Sequence, residues 1–240
     1  MAPTFEWFID AAVGKALAGS GDAIDIVERL DLDAVNVRVD YRCEAIGEKT
    51  QIDERGVKTR LTGDALPALL EGPIRDIARQ AEYVFPDPAA PQRFETLERA
   101  LNRFGQERAV VLNLRDGFSD VRDLLGYQAA LMAMLLAPQR FDELLRRAVD
   151  YNLQLAATAR RRFGAEIVAT TDDVANASGL LMRPATYFER IAPAFKAAVE
   201  GYKQQGYLVI KHCDGNVDAV LDFWIECGID CLDPIDPAGG

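Results

Sequence analysis

The chain has 240 residues, 49% hydrophobic and 27% charged, with a formal net charge of -11 and a sequence pI near 4.7. That length and composition suit one soluble α/β domain with a sizeable core, since a single barrel of about 250 residues is ordinary. The acidity excludes a basic nucleic-acid footprint, or a face for anionic membranes, as the main binding surface.

The opening MAPTFEWFIDAAVGKALAGSG has no basic start leading into a long apolar run, so no secretory signal is expected. No stretch nears the roughly 18 apolar residues of a membrane span, and a cytoplasmic location is expected. Cys43, Cys213, Cys227 and Cys231 form no CxxC pair and no zinc spacing, so reduced thiols are the expectation.

Helical character first shows from Ala23 to Leu30, followed by DAVNVRVDY (Asp33–Tyr41), whose alternating β-branched and polar residues predict a strand. The polar, turn-rich run from Gly47 to Gly63 reads as a hairpin or excursion. YVFPDPAAPQ (Tyr83–Gln92) is a loop feeding a helix near Phe94. RAVVLNL (Arg108–Leu114) reads as a buried strand and DLLGYQAALMAMLLA as a helix. Pro138 then opens a long helix that ends at Gly164. AEIVATTDD is the next strand, and a loop with Pro184 leads into the helix ATYFERIAPAFKAAVEGYKQQG. YLVIKHCDG, VDAVLDFWIECG and IDCLDPID complete the series as strand, helix and strand. This alternation predicts parallel βαβ units in a single domain over 1–240. About five strand signals are visible, whereas a closed barrel needs eight. The last strand has no covering helix before Gly239 and Gly240, which would leave an open edge. The expectation is a barrel incomplete at its C-terminus.

Alternate residues of a strand share a face. In DAVNVRVDY, Val35, Val37 and Val39 suit the outer helices. Asn36, Arg38 and Asp40 then point inward, with Asp40 at the C-terminal end where barrel enzymes place chemistry; an exposed polar edge is the alternative. In YLVIKHCDG, His212, the chain's one histidine, shares a face with Asp214. An imidazole and a carboxylate at a strand end suit a metal ion or proton transfer. Asp172 and Asp173 occupy another rim with opposite facing, so one looks into the site and the other caps a turn. Arg115 and Asp116 end a further strand, where Arg115 would meet an anionic substrate group or form a rim salt bridge. Asp233 and Asp236 are rim residues for which loop capping and function are equally open. Phe118 and Tyr127 read as packing.

Two segments carry a family resemblance: GAEIVATTDDVANASGLLMRPATYFERIAPAFKAAVEGYKQQG and VIKHCDGNVDAVLDFWIECGIDCLDPIDPAGG. Their pattern of strand, G-x-L-x-S/R-P loop, helix, H-x-C/D-G-N and G-I-D-x-L-x-P resembles the uroporphyrinogen decarboxylase superfamily. A weaker resemblance runs back to Asp33. It implies a (β/α)8 TIM barrel and one of two chemistries. True decarboxylases, which are lyases of heme and porphyrin biosynthesis, remove acetate carbon dioxide from a tetrapyrrole without a cofactor. Asp40 matches the aspartate that lies over the pyrrole nitrogens, and Asp172 matches a substrate-facing position. Their arginine-rich R-Q-A-G-R motif is absent here, although a polyanion needs several fixed cations. The other branch moves methyl groups between a corrinoid protein and a thiol, or demethylates methoxylated compounds. It uses zinc held by H-x-C and a later cysteine, which lowers the thiol's pKa. Here His212 is kept, Asp214 replaces the first cysteine, and Cys213 falls on the opposite face.

The resemblance therefore implies a methyltransferase-like enzyme with a mouth of Asp40, Asp172, His212 and Asp214. Asp173, Arg38, Asn36 and Arg115 are further substrate-binding candidates, and zinc on His212 and Asp214 is the metal candidate. A cofactor-free uroporphyrinogen decarboxylase is the first alternative. A non-catalytic barrel docking a corrinoid protein is the second. A homodimer is left open.

Overall fold

Short-range chemistry sets the first elements. In the computed structural model, which describes residues 4–62, 66–105 and 107–235, Asp10 and Asp22 cap α1 (Ala11–Ala18) and α2 (Ala23–Leu30). Their carboxylates accept from Ala12 N at 2.8 Å and Ile24 N at 2.9 Å, satisfying amides that have no partner within the helix. Strand β1 follows (Ala34–Arg38). The polar excursion is an antiparallel sheet of β2 (Cys43–Ala45), β3 (Thr50–Asp53), β4 (Lys58–Arg60) and β5 (Ala68–Glu71), wider than the run from Gly47. Gly63, at the expected end of that run, lies outside the described residues.

Next come α3 (Glu95–Phe104), β6 (Ala109–Leu114), α4 (Phe118–Leu125) and α5 (Tyr127–Leu136). The segment from Asp123 to Ala137 is not one helix. Gly126 stands at a φ of 90° between α4 and α5, a conformation only glycine adopts without strain. The long helix α6 (Pro138–Phe163) begins on proline and stops at Gly164, as the sequence implies. Strand β7 (Ile167–Thr171) is followed by a small ribbon, β8 (Ala175–Asn176) and β9 (Gly179–Leu180). Then come α7 (Pro184–Arg190), α8 (Ala192–Gln204), β10 (Leu208–His212), α9 (Asp218–Cys227) and β11 (Cys231–Asp233).

The central sheet is all-parallel, in the order β1-β6-β7-β10-β11. The α/β class with parallel βαβ units is therefore observed. The closed eight-stranded barrel is not: among the described residues the sheet has five strands and two outer edges, β1 and β11. On one face Val35, Val37, Leu112, Val168 and Val209 pack under helices with Leu97, Phe104, Phe141, Phe195 and Trp224. Full burial of such side chains contributes about 1.5–3 kcal/mol each before chain entropy is set against it.

The opposite face is partly covered by the segment from Thr4 to Phe8. Thr4 donates twice to Asp33 Oδ2, from its amide at 2.6 Å and its hydroxyl at 2.9 Å. The carbonyl of Trp7 accepts from Asn36 Nδ2 at 2.8 Å, and the Arg38 guanidinium lies 4.2 Å from the centre of the Phe8 ring. All four cysteines are free thiols. No helix among the described residues is long and apolar enough to cross a membrane.

Candidate active site

Strand alternation builds the site. Because Val35, Val37, Leu112, Val168 and Val209 face the helices, the residues out of phase with them face the other way. Near its C-terminal end each parallel strand then presents one polar side chain to this open face: Arg38, Asn113, Thr171, His212 and Asp233. Register brings them into a row, with Arg38 beside Asn113, and Thr171 and Asp233 flanking His212. Thr171 Oγ1 donates to Asn113 Oδ1 at 2.7 Å. His212 Nδ1 lies 2.7 Å from Asp233 Oδ2.

His212 is buried, and its ring stacks on Trp7 with centroids 4.3 Å apart and planes 8° from parallel. A carboxylate offers no proton, so Nδ1 is the donor to Asp233, and neutral imidazole then keeps its lone pair on Nε2. That nitrogen faces Asp214 Oδ1 at 3.8 Å and Asp173 Oδ1 at 4.0 Å. One donor atom from each of the three residues lies within 4.8 Å of the others. A tetrahedral ion with bonds of about 2.0–2.1 Å holds its ligand atoms about 3.3 Å apart. The donor set is of the kind zinc takes, and its atoms would close by about 0.5–1.5 Å to reach that spacing. Asp233 supplies the outer carboxylate that metal-bound histidines usually have.

The loop after His212 is held by backbone. Asn216 N donates to Asn176 O at 2.9 Å, and Asp214 N to Asp173 Oδ1 at 3.3 Å. Gly215 has a φ of 87°, and a Cβ there would stand 2.5 Å from the Asn176 carbonyl carbon. The glycine of HCDGN thus permits the close approach that brings Asp214 beside His212.

Beside this centre lies a cavity of about 620 Å³ between the ends of β1, β6 and β7 and the antiparallel excursion. Arg38, Asn113 and Thr171 line its sheet side; Val57, Leu66, Leu69 and Tyr127 are among its apolar walls. Arg55 and Arg115 hold a cluster of carboxylates there. Arg115 is 2.7 Å from Asp123, and Arg55 is 2.8 Å from Asp53 and 3.4 Å from Asp120. Burial disfavours the Asp123 carboxylate, but Arg115 and Arg55 outweigh it and hold its pKa below the ordinary value of 3.8. Burial raises Asp120 instead, against the pull of the same arginines.

The structure separates the expected residues. His212, Asp173 and Asp214 come together, and Arg38 and Arg115 enter the cavity. Asn36 does not line the cavity; its amide holds the Trp7 carbonyl. Asp40 borders the cavity, but its carboxylate accepts from Thr96 N at 2.8 Å and Thr96 Oγ1 at 2.7 Å at the start of α3. Asp172 does not open into the mouth. Fully buried, it accepts from Phe118 N at 2.6 Å and Ser119 N at 3.0 Å, capping α4. Of the two rim aspartates, Asp173 is the one that faces the centre. Burial first, then the Asp116 carboxylate, pushes the Asp172 pKa up. Behind the sheet Lys211 Nζ bonds Asp116 Oδ2 at 2.7 Å and the Asp172 carbonyl at 2.9 Å. Cys213 is buried on that same side, away from His212. Asp236 lies outside the described residues. Asn113, Thr171 and Trp7 were not singled out by sequence reasoning; the in-phase position of Asn113 in AVVLNL is the signal that could have found it.

A family model described as uroporphyrinogen decarboxylase (URO-D) matches residues 22–236. The chain belongs to the uroporphyrinogen decarboxylase family. That match takes in the strand end HCDGN, the cavity and the antiparallel excursion. Among solved structures, a methyltransferase from Methanosarcina mazei superposes with a TM-score of 0.67 at 16% identity, covering 91% of this chain. The likeness is one of fold, and the chain spans 62% of that protein's length. No curated protein matches the sequence. The polar row lies at the C-terminal strand ends, where (β/α) enzymes build their chemistry.

Proposed function

We propose that this mouth belongs to a methyltransferase-type enzyme of the family, moving a methyl group between a corrinoid carrier and a small thiol. The observation that carries the reading is His212. Its Nδ1 is anchored on Asp233 while Nε2 faces two carboxylates, an arrangement suited to holding a cation. Asp173, His212 and Asp214 would hold zinc, which when bound lowers the pKa of a thiol and so supplies thiolate at neutral pH. Asp233 fixes the imidazole's rotation and tautomer. Trp7 shields one face of that ring from water, and the cavity positions the rest of the substrate. The five parallel strands would be those of a (β/α)8 barrel, working in the cytoplasm with a corrinoid protein as partner.

Equilibrium dialysis against zinc, followed by metal analysis, tests the centre. The expected result is one ion per chain. His212→Ala should abolish binding and lower methyl transfer from methylcobalamin to a thiol by about 100-fold or more. Asp233→Asn should weaken zinc affinity about 10–100-fold. A chain that binds no zinc, or a His212→Ala variant with full turnover, refutes the reading.

The cofactor-free decarboxylase draws support from one feature, the arginines of the cavity with Asp40 on its border. It predicts loss of carbon dioxide from uroporphyrinogen without metal, and Asp40→Asn abolishing that turnover. On the methyltransferase reading this substrate is left unchanged.

A further inference from the structure

Among the described residues four arginines line the cavity, and carboxylates pair with Arg55, Arg115 and Arg122. Among the described residues the carboxylates lining the cavity are Asp40, Asp53, Asp120 and Asp123. Thr96 takes up the first, and Arg55 and Arg115 the other three. Arg38 lines the same space and forms no ion pair among the described residues; its one close partner is the face of Phe8. Desolvation, and then the like charge of Arg115, bring its pKa down to about 10 while the Asp123 carboxylate opposes them; at neutral pH Arg38 remains a cation, and its side chain is still exposed. Beside it in register sits Asn113, only 9% exposed. Its Oδ1 is bonded to Thr171, and its Nδ2 is buried with no partner. A buried amide donor left unsatisfied costs roughly 1–3 kcal/mol, which a ligand acceptor would recover.

We infer that the cavity takes a ligand with an apolar body and a single carboxylate, the carboxylate held by the Arg38 guanidinium with Asn113 Nδ2 as a second donor. A planar guanidinium fork matches a carboxylate in two parallel hydrogen bonds. The neighbouring strand lies about 4.8 Å away, close enough for a donor there to reach the same group. Val57, Leu66 and Leu69 on the excursion side would pack the apolar body. With Arg38 the lining arginine left without an ion pair among the described residues, one acid group is matched, and a polyacid would leave its remaining carboxylates facing Asp120 and Asp123. This names the substrate class for the proposed site and rests on that reading of the mouth. Its test needs no metal, so the two can fail separately.

The test is calorimetric titration of the full chain, stripped of metal with a chelator, using 3-phenylpropionate and its neutral amide, 3-phenylpropanamide. The wild-type chain should bind the acid about 10-fold or more tightly than the amide, the range expected for a charge-assisted pair. Arg38→Gln should erase that preference and leave amide binding unchanged, while His212→Ala should keep it. Thermal unfolding followed by circular dichroism establishes that the variants fold. If Arg38→Gln does not fold, Arg38→Lys decides, since a point charge without the fork should weaken the preference several-fold. Equal binding of acid and amide, binding of neither, or an undiminished preference in the Arg38 variant would overturn the inference. Acid preference without zinc binding would sink only the metal-dependent chemistry. Zinc binding without acid preference would sink only the ligand class.

Discussion

Asp123 stands between two arginines at the cavity wall, and its ionisation is tied to the stability of the chain. Its native pKa lies below the unfolded value of 3.8 because Arg115 and Arg55 overcome its burial. A carboxylate depressed in this way stabilises the fold fully above the unfolded pKa, and that contribution is lost as pH falls through the native one. Asp123→Asn should therefore cost about 2–3 kcal/mol at pH 7, less than a wholly broken buried pair because Asp120 still faces both arginines. Urea unfolding should show the difference between variant and parent shrinking below about pH 4. A difference independent of pH would show that Asp123 acts only through its shape. At this scale the sequence was readable where alternation along one strand sufficed. His212 and Asp214 two positions apart, and Arg38 in phase with Asn36, follow from the pleat alone. Asp172 was not readable, because its orientation depends on the first amides of α4, far earlier in the chain.

Among elements, the strand-to-loop turn after β10 governs the site. Gly215→Ala places a Cβ against the backbone of Asn176 at a φ of 87°, so the turn must move and take Asp214 with it. Stability should fall by about 2–3 kcal/mol. Zinc affinity should fall at least about 10-fold, because a carboxylate moves away from the imidazole. Retained affinity in a destabilised variant would mean that Asp214 is not a ligand. The parallel strands and the long helices were legible because each buries one face for many residues, which leaves a strong period in the sequence. The excursion was legible only as polar and turn-rich. Its strands are three or four residues long and partly buried or, in β2, exposed throughout, too short for alternation to register. The break at Gly126 was hidden by the apolar run on either side of it.

For the molecule as a whole, the parallel sheet separates support from chemistry. Valines and aromatics under the helices form the scaffold, and the polar row on the other face carries Arg38, Asn113, Thr171, His212 and Asp233. Family membership was readable from HCDGN and its flanking segments. The layer laid over the open face was not, since nothing local in TFEWF says that its indole meets an imidazole more than 200 residues later. That contact makes the protein its own optical probe. The light an excited indole emits depends on whatever touches its ring, and Trp7 lies flat against His212. The other tryptophan, Trp224, is buried beneath α8 with its Nε1 bonded to Tyr187. Adding zinc to the intact chain should therefore alter the emission of Trp7, and Trp7→Phe should silence the response without preventing uptake of the ion. The occupancy of the centre could then be followed in real time with no added dye.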